Sequence, residues 1–184
     1  MQRKHSLTET LEKQFPGDIF NTQLPHQEDS VITLRNMNEE EFKNYRSLFI
    51  HEYSQDLQNN RGYLSEKARI KAIESIDTVL TKGVATPANQ LWCIQQPDEP
   101  EEVIGILWLS ITGSSAWISD FYIYPDWRGR GFGGLALCEM KRLLKIMNID
   151  EVGLRVAPNN ASAKALYQKN GFHITGINMS QNLN

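Results

Sequence analysis

One stretch of the chain restricts the fold more than any other. An alternating apolar run, Phe121-Tyr122-Ile123-Tyr124, stops at Pro125. A turn with four glycines follows, Arg128-Gly129-Arg130-Gly131-Phe132-Gly133-Gly134, and residues of helical periodicity begin at once, to about 148. The first backbone N–H groups of a helix have no partner inside it, and the macrodipole gives that end partial positive charge. Glycines let the main chain come close to a bound anion and take positive φ where needed. Because glycine weakens a helix start, four of them so close together imply some other gain. Arg128 and Arg130 add charge suited to a diphosphate.

The literal pattern Gly129-x-Gly131-x-x-Gly134 fits a dinucleotide fingerprint, but its context does not. That fingerprint sits in the tight turn after the first strand of a parallel α/β unit, whereas this turn follows a run of hairpin strands and a proline-containing spacer. A P-loop is excluded, since no glycine here is followed by Lys and then Ser or Thr.

Upstream, residues 1–30 show no sustained period and are broken by Pro16-Gly17 and Pro25, so a flexible extension is expected there, with the folded domain over 31–184. A strand is expected at 31–35. Asn38 and Glu41 form a capping-box pattern at the start of a helix whose Phe42, Tyr45, Phe49 and Tyr53 make one apolar stripe. A second helix carries Ala68, Ala72, Ile76 and Leu80 on one face, from Ser65 to a close at Gly83. Strands at 91–95, 103–110 and 117–124 form an antiparallel meander, followed by a helix over 133–148, a strand over 151–157, a helix over 160–170 and a last strand over 172–179. Hairpins first and a β-α-β crossover later predict a single α+β domain. Its central sheet is mixed and mostly antiparallel, with helices on both faces.

Composition narrows the partners. The net charge of −3, with acids and bases interspersed, leaves no phosphate-backbone footprint, so nucleic acid is not expected. No apolar run approaches the roughly 20 residues that span a bilayer, and the polar first ten residues lack a signal-type core, so a cytoplasmic protein off the membrane is expected. Cys93 and Cys138 are too few for a disulfide framework and are expected to be reduced and buried. His5, His26, His51 and His173 show no ligand spacing, and no metal is expected.

The glycine turn resembles the acetyl-CoA-binding motif of the GNAT N-acetyltransferases: Arg or Gln, two residues, Gly, one residue, then Gly or Ala. Arg128, Gly131 and Gly133 match it. The flanks resemble the family too, from Tyr122-Ile123-Tyr124-Pro125-Asp126-Trp127 upstream to Asn159-Asn160-Ala161-Ser162-Ala163-Lys164-Ala165-Leu166-Tyr167 and Asn170-Gly171-Phe172 downstream. The resemblance covers about residues 31–180, and the segment 83–92 is similar to a little-described bacterial branch of the family.

The resemblance implies transfer of acetyl from acetyl-CoA to a primary amine, on a small molecule or on a protein or peptide, by direct attack in a ternary complex. In the family a bulged strand four splays from strand five, and the pantetheine arm lies in that V. Phe121, Tyr122 and Ile123 would supply its main-chain hydrogen bonds, and Arg128, Gly129, Arg130, Gly131, Phe132, Gly133 and Gly134 would wrap the pyrophosphate. Asn160 matches a position that touches the cofactor and equally suits a helix N-cap. Tyr167 matches a tyrosine beside the CoA sulfur, where a phenol of pKa about 10 can protonate a leaving thiolate, although its stripe with Ala163, Leu166 and Asn170 also suits core packing. Asp120 is the candidate base for the amine or else a structural carboxylate. Arg155 stands where some ribosomal-protein N-acetyltransferases carry a glutamate, so that base is not expected here. Glu52, Tyr53 and Trp108 are candidates to line the acceptor side. Such domains often dimerise through sheet edges or the C-terminal strand, so a homodimer is one expected assembly. A module that binds acyl-CoA without turning it over is the alternative function.

Overall fold

A computed structural model of the chain describes residues 32–179 and residue 181. The extension expected over 1–30 lies outside the described residues. A five-stranded sheet forms the centre, built from β1 (Thr33–Asn36), β2 (Asn89–Gln96), β3 (Glu99–Thr112), β4 (Ser115–Ile123) and β5 (Glu151–Leu154), in that spatial order. The first four strands pair antiparallel, and β4 pairs β5 in parallel. The parallel pair follows from connectivity, because the helix α3 (Phe132–Ile146) carries the chain back over the sheet between β4 and β5.

Two helices cover one face, α1 (Glu39–Arg61) and α2 (Ser65–Val79). The start of α1 is fixed by the expected capping box: Glu41 N donates to Asn38 Oδ1 at 2.9 Å, and Asn38 N donates to Glu41 Oε2 at 2.8 Å. Arg35 of β1 clamps the same carboxylate through both oxygens at 3.0 and 2.6 Å, and this bond holds the Glu41 carboxyl down to about 2. Strand and helix are thereby tied at their junction. Gly62, in the left-handed conformation at φ 63°, ends α1. The aromatic stripe is a ladder of ring contacts, edge-on for Tyr45–Phe49 at 6.1 Å between centroids and tilted for Phe49–Tyr53 at 5.4 Å, and Phe49 meets Trp108 of β3 edge-on at 5.6 Å. Ala68, Ala72 and Ile76 of α2 are fully buried. Arg46 grips Asp77 at 2.8 and 2.6 Å and joins the two helices on the solvent side.

The other face is covered by α3 and by α4 (Ala161–Lys169). The sheet's period of two sorts its residues cleanly: Leu91, Cys93, Ile106 and Trp108 pack toward α1 and α2, while Trp92, Leu107 and Leu109 pack toward Leu137, Met140 and Leu144 of α3. Lys141 Nζ donates to the Asn170 carbonyl at 3.0 Å and holds the end of α4 against α3.

Three sequence expectations are corrected. Residues 172–179 form no strand; Ile174, Ile177 and Met179 are 61%, 84% and 92% exposed, so the segment buries no apolar face that would hold it against the sheet. The strand expected over 151–157 ends at Leu154. Cys93 is buried as expected, but Cys138 is exposed on the outer side of α3, since a helical period places it off the stripe made by Ala136, Leu137 and Met140.

Candidate functional site

The site is built by an irregularity in β4. Along residues 115–118 this strand is paired on both sides, with β3 and with β5. The register against β3 then slips: Leu109 faces Ile118 and Trp108 faces Asp120, so Ser119 is one residue too many. Pairing with β5 stops at Ile118 and Leu154, the last rung before the bulge. Beyond it, Phe121–Ile123 remain paired with β3 only, and their other edge is left open by every strand among the described residues. The bulge is fastened from β3. Ser110 Oγ donates to Asn89 Oδ1 at 3.1 Å, the oxygen that Trp108 Nε1 also reaches at 2.8 Å, and Ser119 Oγ lies 2.9 Å from Ser110 Oγ. With its own proton on Asn89, the Ser110 hydroxyl accepts from Ser119.

The extra residue also changes which side chains face where. Ile118 belongs to the α3 side, and strict alternation would put Asp120 there too. Because Ser119 is inserted, Asp120 instead lies opposite Trp108, on the α1 side. There the hydroxyl of Tyr45, a residue only 1% exposed, donates to Asp120 Oδ2 at 3.0 Å. Burial pushes the Asp120 carboxyl up to about 6; hydrogen bonds from Tyr45 and from the Phe121 backbone N–H pull it down, and the Glu52 carboxylate adds to the rise.

Phe121 points to the opposite side, where its ring packs 6.4 Å from that of Tyr167 on α4. Tyr167 also packs edge-on to Phe172 at 5.6 Å. Burial, and after it the charge of Asp120, pushes the Tyr167 phenol up to about 12. The carboxylate and the phenol, held on opposite faces of the sheet, thus sense each other at the opened end of β4.

That end runs into the glycine turn through a single 3-10 turn, Pro125–Trp127. Gly129 and Gly131 have φ of +73° and +87°, which L side chains rarely adopt, and a Cβ built on either meets nothing within 4 Å. Gly131 begins α3 with no side-chain cap. The turn therefore presents bare main chain and an uncapped helix start to open space. Arg128 Nε donates to the Ile123 carbonyl at 2.8 Å while its guanidinium lies over Tyr122, and Arg130 lies over Trp127. Both arginines are exposed and braced at the rim of the turn.

Residues 34–172 match the family model described as "Acetyltransferase (GNAT) family". The chain belongs to the GNAT acetyltransferase family. The Bacillus subtilis (strain 168) protein called "Uncharacterized N-acetyltransferase YycN" is 28% identical over 157 residues, spanning 83% of this chain and 99% of the relative. The crystal structure of YycN superposes with a TM-score of 0.77 over 83% of this chain and 98% of that one. YdgE, also called an uncharacterized N-acetyltransferase, from the same Bacillus strain, is 26% identical over the same shares. At 20% identity, a spermidine N-acetyltransferase from Vibrio cholerae, solved with CoA and spermine, shares the fold at a TM-score of 0.58 over 80% of this chain and 84% of that one. The chain is thus an enzyme of this acetyltransferase family, and no helix among its described residues is long and apolar enough to cross a membrane.

In this GNAT domain the residues singled out from sequence gather around the open edge, but not all in the expected manner. Phe121–Ile123 line it, and Gly129 and Gly131 face outward beside it. Gly133 has a different neighbour: a Cβ there would lie 3.1 Å from Leu166, so this glycine permits close packing of α3 on α4. Gly134 and Phe132 likewise face protein, toward Asn170 and into the core. Asn160 caps α4, its Oδ1 accepting from Ala163 N at 3.0 Å. Trp108 is 3% exposed with its indole N–H spent on Asn89, so its side chain belongs to the core and not to an acceptor wall. Tyr53 packs against that core, while Glu52 is exposed on α1. Arg155 is exposed just past β5. Sequence reasoning missed Tyr45 as a polar partner and Ser110 and Ser119 as fasteners of the bulge. A tyrosine in an otherwise phenylalanine-like stripe position was the available signal for the first.

Proposed function

We propose that this enzyme transfers the acetyl group of acetyl-CoA to a primary amine by direct attack, with no covalent enzyme intermediate. The observation that carries the reading is the open edge of β4, which ends at the glycine turn and has Asp120 on one side and Tyr167 on the other. An amide chain such as pantetheine fits an unpaired strand edge, with Phe121, Tyr122 and Ile123 as its main-chain partners. A diphosphate fits the bare amides around Gly129 and Gly131, with Arg128 and Arg130 at the rim. Acetyl-CoA would supply the thioester; the rest is done by the chain. Asp120, with its carboxyl near 6, is ionised above neutral pH and still basic enough to take a proton from an ammonium acceptor. Once that first proton has passed from Asp120 to solvent, the neutral amine nitrogen bonds to the acetyl carbon, the carbon–sulfur bond breaks, and the proton that the nitrogen must still shed goes to Asp120. Tyr167 gives its proton to the departing sulfur and recovers one from solvent. Its phenol keeps its proton well above neutral pH, so a donor is in place when the thiolate forms. Glu52 and Asp120 on the α1 side favour an acceptor that arrives as a cation.

Thermal unfolding with acetyl-CoA, CoA, NADH and ATP, followed by a thiol-release assay over a panel of amines, tests this. A ligand at 100 times its Kd adds about 2.7 kcal/mol, several degrees for a domain of this size. Selective shifts with acetyl-CoA and CoA, and thiol release that needs an amine, are expected. A larger shift with NADH, or binding of acetyl-CoA with no turnover on any amine, would overturn the reading.

A further inference from the structure

Tyr45 stands out once the site is assembled. It lies mid-way along the aromatic ladder of α1, 1% exposed, where a phenylalanine would pack as well. Tyr53 of the same ladder is only partly buried, whereas the Tyr45 ring is fully enclosed, and a buried hydroxyl is costly unless it is bonded. The bond it makes is to Asp120 Oδ2, at 3.0 Å and 75 residues away in sequence. The bulge at Ser119 is what turns Asp120 to this face, so the contact exists only because β4 is irregular at that point. Burial and the charge of Asp120 push the Tyr45 phenol well above its ordinary value, so it stays a donor through the pH range in which the carboxylate works.

We infer that Tyr45 is a positioning residue for acceptor activation: its hydroxyl occupies Asp120 Oδ2 and fixes the carboxylate, so that Oδ1 is the oxygen that receives the amine's proton. This rests on the reading of Asp120 as the base. A carboxylate held at Oδ2 by Tyr45, and bonded besides by the Phe121 backbone N–H, cannot rotate away from its target, and each donor to its charged form lowers its proton affinity. The titratable groups that face Asp120 are Tyr45 and Glu52 from α1 and Tyr167 from α4. Glu52 and Tyr167 are unchanged in a Tyr45 variant, so a shift between variants isolates the hydroxyl.

The test compares wild type, Tyr45→Phe, Asp120→Asn and the double variant by the pH dependence of kcat/KM for an amine, with KM for acetyl-CoA measured alongside. Tyr45→Phe should move the acid limb up by about one pH unit, lowering kcat/KM roughly twofold at pH 7 and nearly tenfold at pH 5, with acetyl-CoA KM unchanged and activity recovering toward pH 9. Tyr45→Met, a second hydroxyl-free variant of flexible shape, must move the limb the same way. In the Asp120→Asn background, Tyr45→Phe should have no further effect on rate. An unmoved limb with only a lowered melting temperature would make the contact a structural tie and end the inference, while loss of the limb in Asp120→Asn would leave the base reading intact. If Asp120→Asn itself keeps the limb and the rate, the base reading falls and Tyr45 with it.

Discussion

The two ends of β4 are made of similar residues and do opposite things. At 115–118 the strand is laddered on both sides, and Ala116 and Ile118 sink into the core at 5% exposure each. At 119–123 it keeps one ladder, lies only partly buried, and carries a carboxylate turned toward a buried tyrosine. One inserted residue separates the two regimes. It frees a strand edge and reverses the facing of every side chain after it, which puts Asp120 and Phe121 on opposite faces at the same opening. Closing backbone hydrogen bonds secures the first end, and leaving them unmade equips the second.

The largest effect expected from breaking this contrast is at the open end. Asp120→Asn keeps the shape and an acceptor for Tyr45 but removes the base. Its kcat/KM for an amine should fall by about 100- to 10,000-fold near neutral pH and recover as the free amine becomes abundant. Acetyl-CoA affinity, measured by titration calorimetry, should hardly change. An equal loss at pH 7 and pH 9.5 would assign Asp120 to structure and dissolve the contrast.

The paired end should behave in the reverse way. Ile118→Ala removes a side chain packed among Leu107, Leu109 and the α3 residues, at a cost of about 2–5 kcal/mol and a melting temperature roughly 5–15 °C lower. Below the transition, the folded fraction should bind acetyl-CoA and turn over as before. A change in KM for acetyl-CoA larger than a fewfold would show that the two ends are not independent.

This division explains what could be read in advance. The capping box at Asn38 and Glu41, the aromatic stripe of α1 and the glycine turn are local: each is complete within a few residues, and each appears where expected. The pattern at 172–179 is equally local, yet it forms no strand, because a sequence pattern does not by itself bury a face, and Ile174, Ile177 and Met179 stay exposed. The position of the bulge was not legible for the complementary reason. Nothing in Trp117-Ile118-Ser119-Asp120-Phe121 marks Ser119 as surplus; it is surplus only against the register of β3. The resemblance implied a bulge in the fourth strand, but the face that Asp120 occupies and its bond to Tyr45 follow from where the slip occurs.

The smallest effect is the most discriminating, because two carboxylates titrate in opposite directions. Glu41, clamped by Arg35, is lowered to about 2 in the fold from about 4.3 unfolded, so its contribution is present above pH 4.3 and lost as pH falls toward 2. Asp120 is raised to about 6 from about 3.9, so the folded state holds its proton more tightly than the unfolded chain. Stability is therefore given up as pH rises from about 4 to 6, and the ionised carboxylate burdens the fold above that, by an amount on the order of 3 kcal/mol. Asp120→Asn cannot ionise. At pH 8 it should melt several degrees above wild type, and the advantage should shrink to nothing near pH 4, where both are neutral. Denaturant unfolding at pH 4, 6 and 8 measures the difference directly. A variant less stable than wild type at pH 8 would mean that the charged carboxylate is satisfied where it sits, and the open end of β4 would then be as well settled as the paired one.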